Sequence, residues 1–180
     1  MDFLELVKTR YAVRKYSDKK VERQKMAQIL EAGRMAPTAG NFQPQRLIVV
    51  ESQEGMEKLA KSSKPVQNFQ PPLAVVVCVD TEKTWKRPMD GKMLTDIDAS
   101  IVTTHMMLQA TELELGSLWV DMFDPAMVKE MFSLPVSWEP VNILLLGYPA
   151  EKPKAPELHE TMRKPLYETV FDEQLKAYFD

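Results

Sequence analysis

The sequence predicts an α+β protein in which helices flank a central mixed or antiparallel sheet. Helical and strand-like patterns alternate along the chain, and 180 residues is a typical length for one domain. Apolar residues make up 44% of the sequence, enough to form a core without disulfide bonds or a structural metal. We therefore expect a single domain over residues 1–180, with no boundary inside it.

Four segments have helical character. They run from Asp2 to Thr9, from Glu22 to Met35, from about Leu94 to Leu115 and from Pro125 to Phe132. Asp2 is a favourable N-cap, and Pro37 follows the end of the second segment. The third segment is apolar nearly all round its middle, which predicts that other elements or another subunit enclose it. Gly116 stands where a helix C-terminal glycine is expected.

Four short runs of apolar residues predict strands. They are Leu47–Val50, Leu73–Val79, Ser117–Val120 and Val141–Leu146. Leu73–Val79 is apolar on both faces, which is typical of a central strand. The tail over residues 151–180 is rich in Pro, Lys and Glu and lacks a core pattern until Leu166, so we expect it to form an arm that lies over something else.

Composition excludes several classes of protein. The single cysteine, Cys78, excludes a disulfide framework and an iron–sulfur cluster, and the two histidines have no metal-ligand spacing, so no metal site is expected. The start lacks a signal-peptide pattern, and the longest apolar run, Leu73–Val79, is too short to span a bilayer. These features predict a cytoplasmic protein that does not insert into a membrane.

The first 25 residues are the most basic part of the chain. Eight Lys and Arg stand there against four acids, whereas the whole chain carries a net charge of −3. No GxGxxG or P-loop pattern is present, so side chains would have to hold any phosphate, and Arg10 and Arg14 could clamp one anion. The alternatives are a solvated basic segment or a nucleic-acid surface. The pI of about 5.5 and the absence of an interleaved aromatic and basic motif disfavour nucleic acid.

Several motifs must be considered together. They are Arg10–Tyr16, Ile29–Pro44, Leu113–Trp119, and Gly147–Pro153 with Arg163–Leu166. In this order and spacing they resemble the nitroreductase family of FMN-dependent oxidoreductases, and the resemblance covers essentially the whole chain.

The resemblance implies a set of FMN-binding residues. Those expected at the phosphate and ribityl chain are Arg10, Tyr11, Ala12, Arg14, Arg163 and Lys164. The family usually has a serine where Ala12 stands, so only the backbone can serve at that position. A loop with Pro37, Thr38, Ala39 and Asn41 is expected to reach the flavin from the neighbouring subunit. Gly116 and Ser117 are expected beside the ring, where a missing Cβ allows close approach.

The resemblance also implies assembly and activity. It predicts a homodimer with FMN at the subunit interface and with the arm, residues 151–180, packed on the partner. The expected activity passes reducing equivalents from NADH or NADPH through FMN to small acceptors such as nitroaromatics or quinones by a ping-pong mechanism. No catalytic side chain is expected, because the flavin supplies the chemistry. A flavin-binding module for storage or sensing, without turnover, remains the alternative.

Overall fold

A computed structural model describes residues 2–152 and 157–179 of the chain. The helices are α1 Phe3–Thr9, α2 Arg23–Arg34, α3 Gln53–Ser62, α4 Lys64–Phe69, α5 Thr95–Glu112, α6 Pro125–Met131 and α7 Glu157–Met162. The strands are β1 Gln45–Val50, β2 Leu73–Asp80, β3 Gly116–Val120 and β4 Trp138–Gly147. Short 3₁₀ turns lie at Ala39–Asn41 and Leu166–Glu168. The predicted helices and strands are all present, and α3, α4 and α7 are additional.

The four strands form one sheet in the order β1-β2-β4-β3. Every neighbouring pair is antiparallel, and Val49 lies opposite Val75 in the β1–β2 pair. The N-terminal segment joins the β3 edge through a single parallel bridge between Ala12 and Ser117. The predicted fold class, α+β with helices around a central sheet, is confirmed.

Helices cover both faces of the sheet. On one face α2 and α5 contribute Ile29 and Met106 to a core that also contains Val75 of β2. On the other face α3, α4 and α6 pack Leu59 and their other apolar residues against the opposite side chains of the same strands. β2 is therefore buried along its whole length, as its uninterrupted apolar sequence predicts. Among the helices that the structure describes, none combines the length and the apolar character of a transmembrane span.

Side-chain caps begin the short helices. Asp2 accepts the backbone N–H of Glu5 at 2.9 Å, and the Glu5 side chain completes a capping box, as the position of Asp2 predicts. Ser52 caps α3 in the same way by accepting the N–H of Gly55 at 3.1 Å. A serine cap ahead of an apolar repeat is the signal in the sequence from which α3 could have been predicted.

The end of α5 corrects one expectation. The helix stops with Leu113 as its cap, and Glu114, with φ +62°, is the left-handed residue that follows. Glu114 N–H donates to the carbonyl of Thr111 at 3.0 Å, and Leu115 N–H donates to that of Ala110 at 2.8 Å. These two bonds form a Schellman motif. Gly116 therefore does not terminate the helix; it begins β3.

Candidate functional site

The N-terminal segment and α7 meet at a cavity of about 320 Å³. It is lined by Arg10, Tyr11, Ala12, Leu158, His159, Met162 and Arg163. The His159 ring fixes the two segments together, because its Nε2 lies 2.9 Å from the carbonyl oxygen of Arg10 and donates to it. Two arginines that are 153 positions apart in the sequence thus line one small cavity.

The electrostatics of this cavity favour an anion. Burial, and then the neighbouring charge of Arg163, lower the pKa of Arg10. In the part of the chain that the structure describes, neither guanidinium forms an ion pair with a carboxylate. Two neighbouring cations without an acidic partner match the geometry and charge of a phosphate, which can accept several N–H donors at once.

Tyr11 links this cavity to a second one of about 410 Å³. Its hydroxyl is buried and has no hydrogen-bond partner among the described residues. Burial, and then the charge of Glu151, raise the pKa of Tyr11, so the phenol stays protonated and can donate. A bound hydroxyl or phosphate oxygen would satisfy this group.

Gly116 and Ser117 lie in β3 beside the second cavity. Gly116 lines the cavity, but a Cβ on it would stand 2.6 Å from a methyl group of Val13. The missing Cβ is therefore required by packing inside the chain, and the expectation that it also admits a flavin stays a prediction. Ser117 is buried, and its hydroxyl has no partner in the described part of the molecule. Contact of either residue with a flavin remains a prediction.

Arg14 enters a different cavity, of about 260 Å³. Its walls are Pro65, Phe69, Leu118, Trp119, Val120, Asp121 and Met122. The sequence suggested that Arg10 and Arg14 clamp one anion together. Four chain steps separate them, which is at most about 13 Å between Cα atoms in an extended strand, and they line different cavities. The sequence alone does not assign these lining residues to a flavin site. The α4 region carries no motif that aligns with the family, and Trp119 fits a packing role.

The loop with Pro37, Thr38, Ala39 and Asn41 lies far from Arg10 within one chain. The Asp98 carboxylate, in the first turn of α5, accepts the N–H of Ala39 at 2.9 Å. Thr111, near the other end of α5, lines a cavity with Arg10. The 13 helical residues between Asp98 and Thr111 span about 20 Å. A single chain therefore presents the loop and the arginine pair at opposite ends of one helix.

Lys164 is not part of the arginine cluster. Its ammonium lies 3.8 Å from the Glu168 carboxylate, and the side chain is exposed. The structure thus separates two neighbours that the sequence grouped together, with Arg163 lining the cavity and Lys164 at the surface.

The chemistry of the donor set fits FMN. Two guanidiniums without acidic partners can neutralise a phosphate dianion, and the Tyr11 hydroxyl can serve an adjacent oxygen. The sequence comparison decides the family. The model of the nitroreductase family matches residues 7–81 and 67–148. This chain belongs to the nitroreductase family.

Individual relatives agree with this membership. A crystal structure of a nitroreductase family protein from Clostridium difficile 630 is 55% identical, with a TM-score of 0.92, and covers 96% of this chain and 99% of that one. An FMN-dependent nitroreductase from Clostridium difficile R20291 is 28% identical, with a TM-score of 0.77, over 95% of this chain and 99% of its own. A Methanothermobacter thermautotrophicus protein with the provisional name NADH dehydrogenase/NAD(P)H nitroreductase is 31% identical, over 91% of this chain and 85% of its own. The predicted family is confirmed.

Proposed function

We propose that this nitroreductase-family protein is an FMN-dependent enzyme that oxidises NADH or NADPH and reduces small acceptors such as nitroaromatics or quinones. The observation that carries the proposal is the cavity in which Arg10 and Arg163 stand together without a carboxylate partner in the described residues. The names of the relatives, which include an FMN-dependent nitroreductase and an FMN reductase [NAD(P)H], support the cofactor and the reductant.

The phosphate end of FMN would lie between Arg10 and Arg163. Both guanidiniums are permanent cations, and the two together compensate a dianion. Tyr11 would donate its unpaired hydroxyl to a phosphate or ribityl oxygen. At position 12, where the family usually has serine, Ala12 offers only its backbone, which is held against Ser117 of β3.

The flavin ring would lie toward the cavity of Arg14. Residues 10–14 lead from the phosphate cavity to this one, and its walls include the aromatic side chains of Phe69 and Trp119. Flat apolar walls suit an isoalloxazine ring, and one guanidinium suits its polar edge, where negative charge develops on reduction. The ring would then lie nearer to Trp119 than to Gly116.

The active unit would be a homodimer with FMN at the interface. The two ends of α5, one bonded to the loop and the other beside Arg10, lie about 20 Å apart, so we expect the loop at each flavin to come from the partner. The arm has little core of its own: Leu166, Phe171 and Tyr178 are 59%, 51% and 64% exposed. Packing these side chains on a second copy would bury them and would link FMN binding to dimerisation.

When bound, FMN supplies hydride acceptance from the nicotinamide and delivery of reducing equivalents to the acceptor. The chain itself would bind the phosphate, present apolar walls to the ring and leave one ring face to both substrates. Because NAD(P)H and the acceptor would occupy the same space in turn, we expect ping-pong kinetics.

The test uses the purified full-length protein. We expect it to be yellow, to release FMN on denaturation and to lose flavin absorbance when NADPH or NADH is added without oxygen. Addition of a quinone should restore the absorbance. Protein that binds FMN but does not react with either nicotinamide would instead be a storage or sensing module, and colourless protein that does not take up FMN would refute the proposal.

A further inference from the structure

Asp98 is a buried carboxylate with an incomplete set of hydrogen bonds. The residue is 1% exposed, and its Oδ1 accepts the backbone N–H of Ala39 at 2.9 Å. Its Oδ2 is also buried and has no hydrogen-bond partner among the described residues. Burying a carboxylate without full hydrogen bonding destabilises a fold, so stability alone does not explain an acid here.

The partner of Asp98 belongs to a strained loop. Gly40, Asn41 and Gln43 all have positive φ, at 55°, 57° and 51°. Positive φ is unfavourable for residues other than glycine and persists only where the surroundings impose it. The loop thus depends on external contacts for its shape.

Asp98 is the long-range tether of this loop. Within the described part of the chain, the other hydrogen bonds of residues 37–43 join positions close in sequence, such as Thr38 Oγ1, which accepts the N–H of Gln43 at 3.1 Å. The Asp98 bond instead spans 59 positions and attaches the loop to α5. Val102 and Met106 anchor α5 in the core, so the hydrogen bond to Asp98 fixes the loop relative to a rigidly packed helix.

We propose that Asp98 is a positioning residue, which holds the loop at residues 37–43 in the conformation that contacts the flavin ring. This inference rests on the proposed function, because the loop matters to FMN only if it reaches a flavin. Asp98 itself does not touch the cofactor. Its contribution is the acceptor oxygen at Ala39, and not its charge.

The test compares Asp98→Asn with Asp98→Leu in the full-length holoprotein. Asn keeps an acceptor oxygen for Ala39, whereas Leu has the same branching and the same number of side-chain heavy atoms but no acceptor. We expect Asp98→Leu to weaken FMN binding at least tenfold and to change the visible spectrum of bound flavin, and Asp98→Asn to stay within threefold of wild type. The melting temperature of the Asp98→Leu apoprotein checks that the variant folds, because Leu leaves the Ala39 N–H without its acceptor.

Ala39→Pro removes the same hydrogen bond from the donor side. Thr38 has φ −130° and ψ 156°, which is compatible with a following proline, and Ala39 begins a 3₁₀ turn. We expect the single variant to weaken FMN binding as Asp98→Leu does, and to add no further loss in the Asp98→Leu background. This cycle separates the Ala39–Asp98 hydrogen bond from the other effects of each single substitution.

Three results would overturn the inference. They are wild-type FMN affinity and spectrum in Asp98→Leu, an Asp98→Asn defect as large as that of Asp98→Leu, or fully additive losses in the Ala39→Pro cycle. In each case wild-type protein still binds FMN, so the proposed function stands. Wild-type protein that binds no FMN would refute the proposed function and this inference together.

Discussion

Replacement of the two arginines by alanine should weaken binding of FMN to different extents. A hydrogen bond to a charged group contributes about 1.5–3 kcal/mol, which corresponds to roughly 10- to 150-fold in Kd. Arg10 is partly buried and Arg163 is exposed, so solvent screens Arg163 more. We therefore expect Arg10→Ala near the upper end of this range and Arg163→Ala near the lower end.

Equilibrium titration of apoprotein with FMN and with riboflavin measures the effect. Riboflavin lacks the phosphate, so its affinity should be nearly unchanged in both variants. Lys164→Ala is the matched control, because Lys164 neighbours Arg163 in sequence but is paired with Glu168 at the surface. It should change the FMN affinity less than threefold. Removal of Arg163 also relieves repulsion with Arg10, so the melting temperature of the Arg163→Ala apoprotein should not fall.

Two results would refute this reasoning. Equal losses for FMN and riboflavin would mean that the arginines support the fold of the site and not the phosphate. A Lys164→Ala defect as large as that of Arg163→Ala would mean that general positive charge, and not the cavity, attracts the cofactor.

Three further predictions concern packing, pH and kinetics. Gly116→Ala should lower the free energy of unfolding by about 1–3 kcal/mol in urea denaturation, because the added Cβ would meet Val13. If Val13→Ala in the Gly116→Ala background does not restore part of that free energy, this explanation is wrong. Tyr148 OH donates to the Glu22 carboxylate at 2.7 Å and, with Lys19, lowers the pKa of Glu22 from 4.5 to about 2. The stability that the ionised Glu22 contributes is therefore present above pH 4.5 and is lost as the pH falls toward 2. Thermal melts of Tyr148→Phe should show a smaller loss over that interval than wild type, and equal losses would exclude the coupling. Steady-state rates with NADH or NADPH and a quinone should give parallel double-reciprocal lines, whereas intersecting lines would show that both substrates bind together.

Local patterns were enough to predict most of the secondary structure. A helical repeat and a following proline predicted α2, and an uninterrupted apolar run predicted that β2 is central. These signals lie within one element and depend on neighbours in the chain. The helix end at Glu114 did not follow from the sequence, because glycine is the usual left-handed residue and this chain uses glutamate there.

The composition of the candidate site also followed from the sequence, but its arrangement did not. Family motifs named Arg10, Arg14, Arg163 and Lys164, and their separation along the chain says nothing about which of them converge. The N-terminal segment lies along the β3 edge, and this path places Arg10 and Arg14 in the walls of two different cavities. The path of the arm brings Arg163, but not Lys164, to Arg10. The sequence by itself therefore determined the fold class and the family, and it predicted the residue types for a phosphate site. Tertiary structure decided which side chains share a cavity, because long-range packing, and not local periodicity, sets the distances between remote residues.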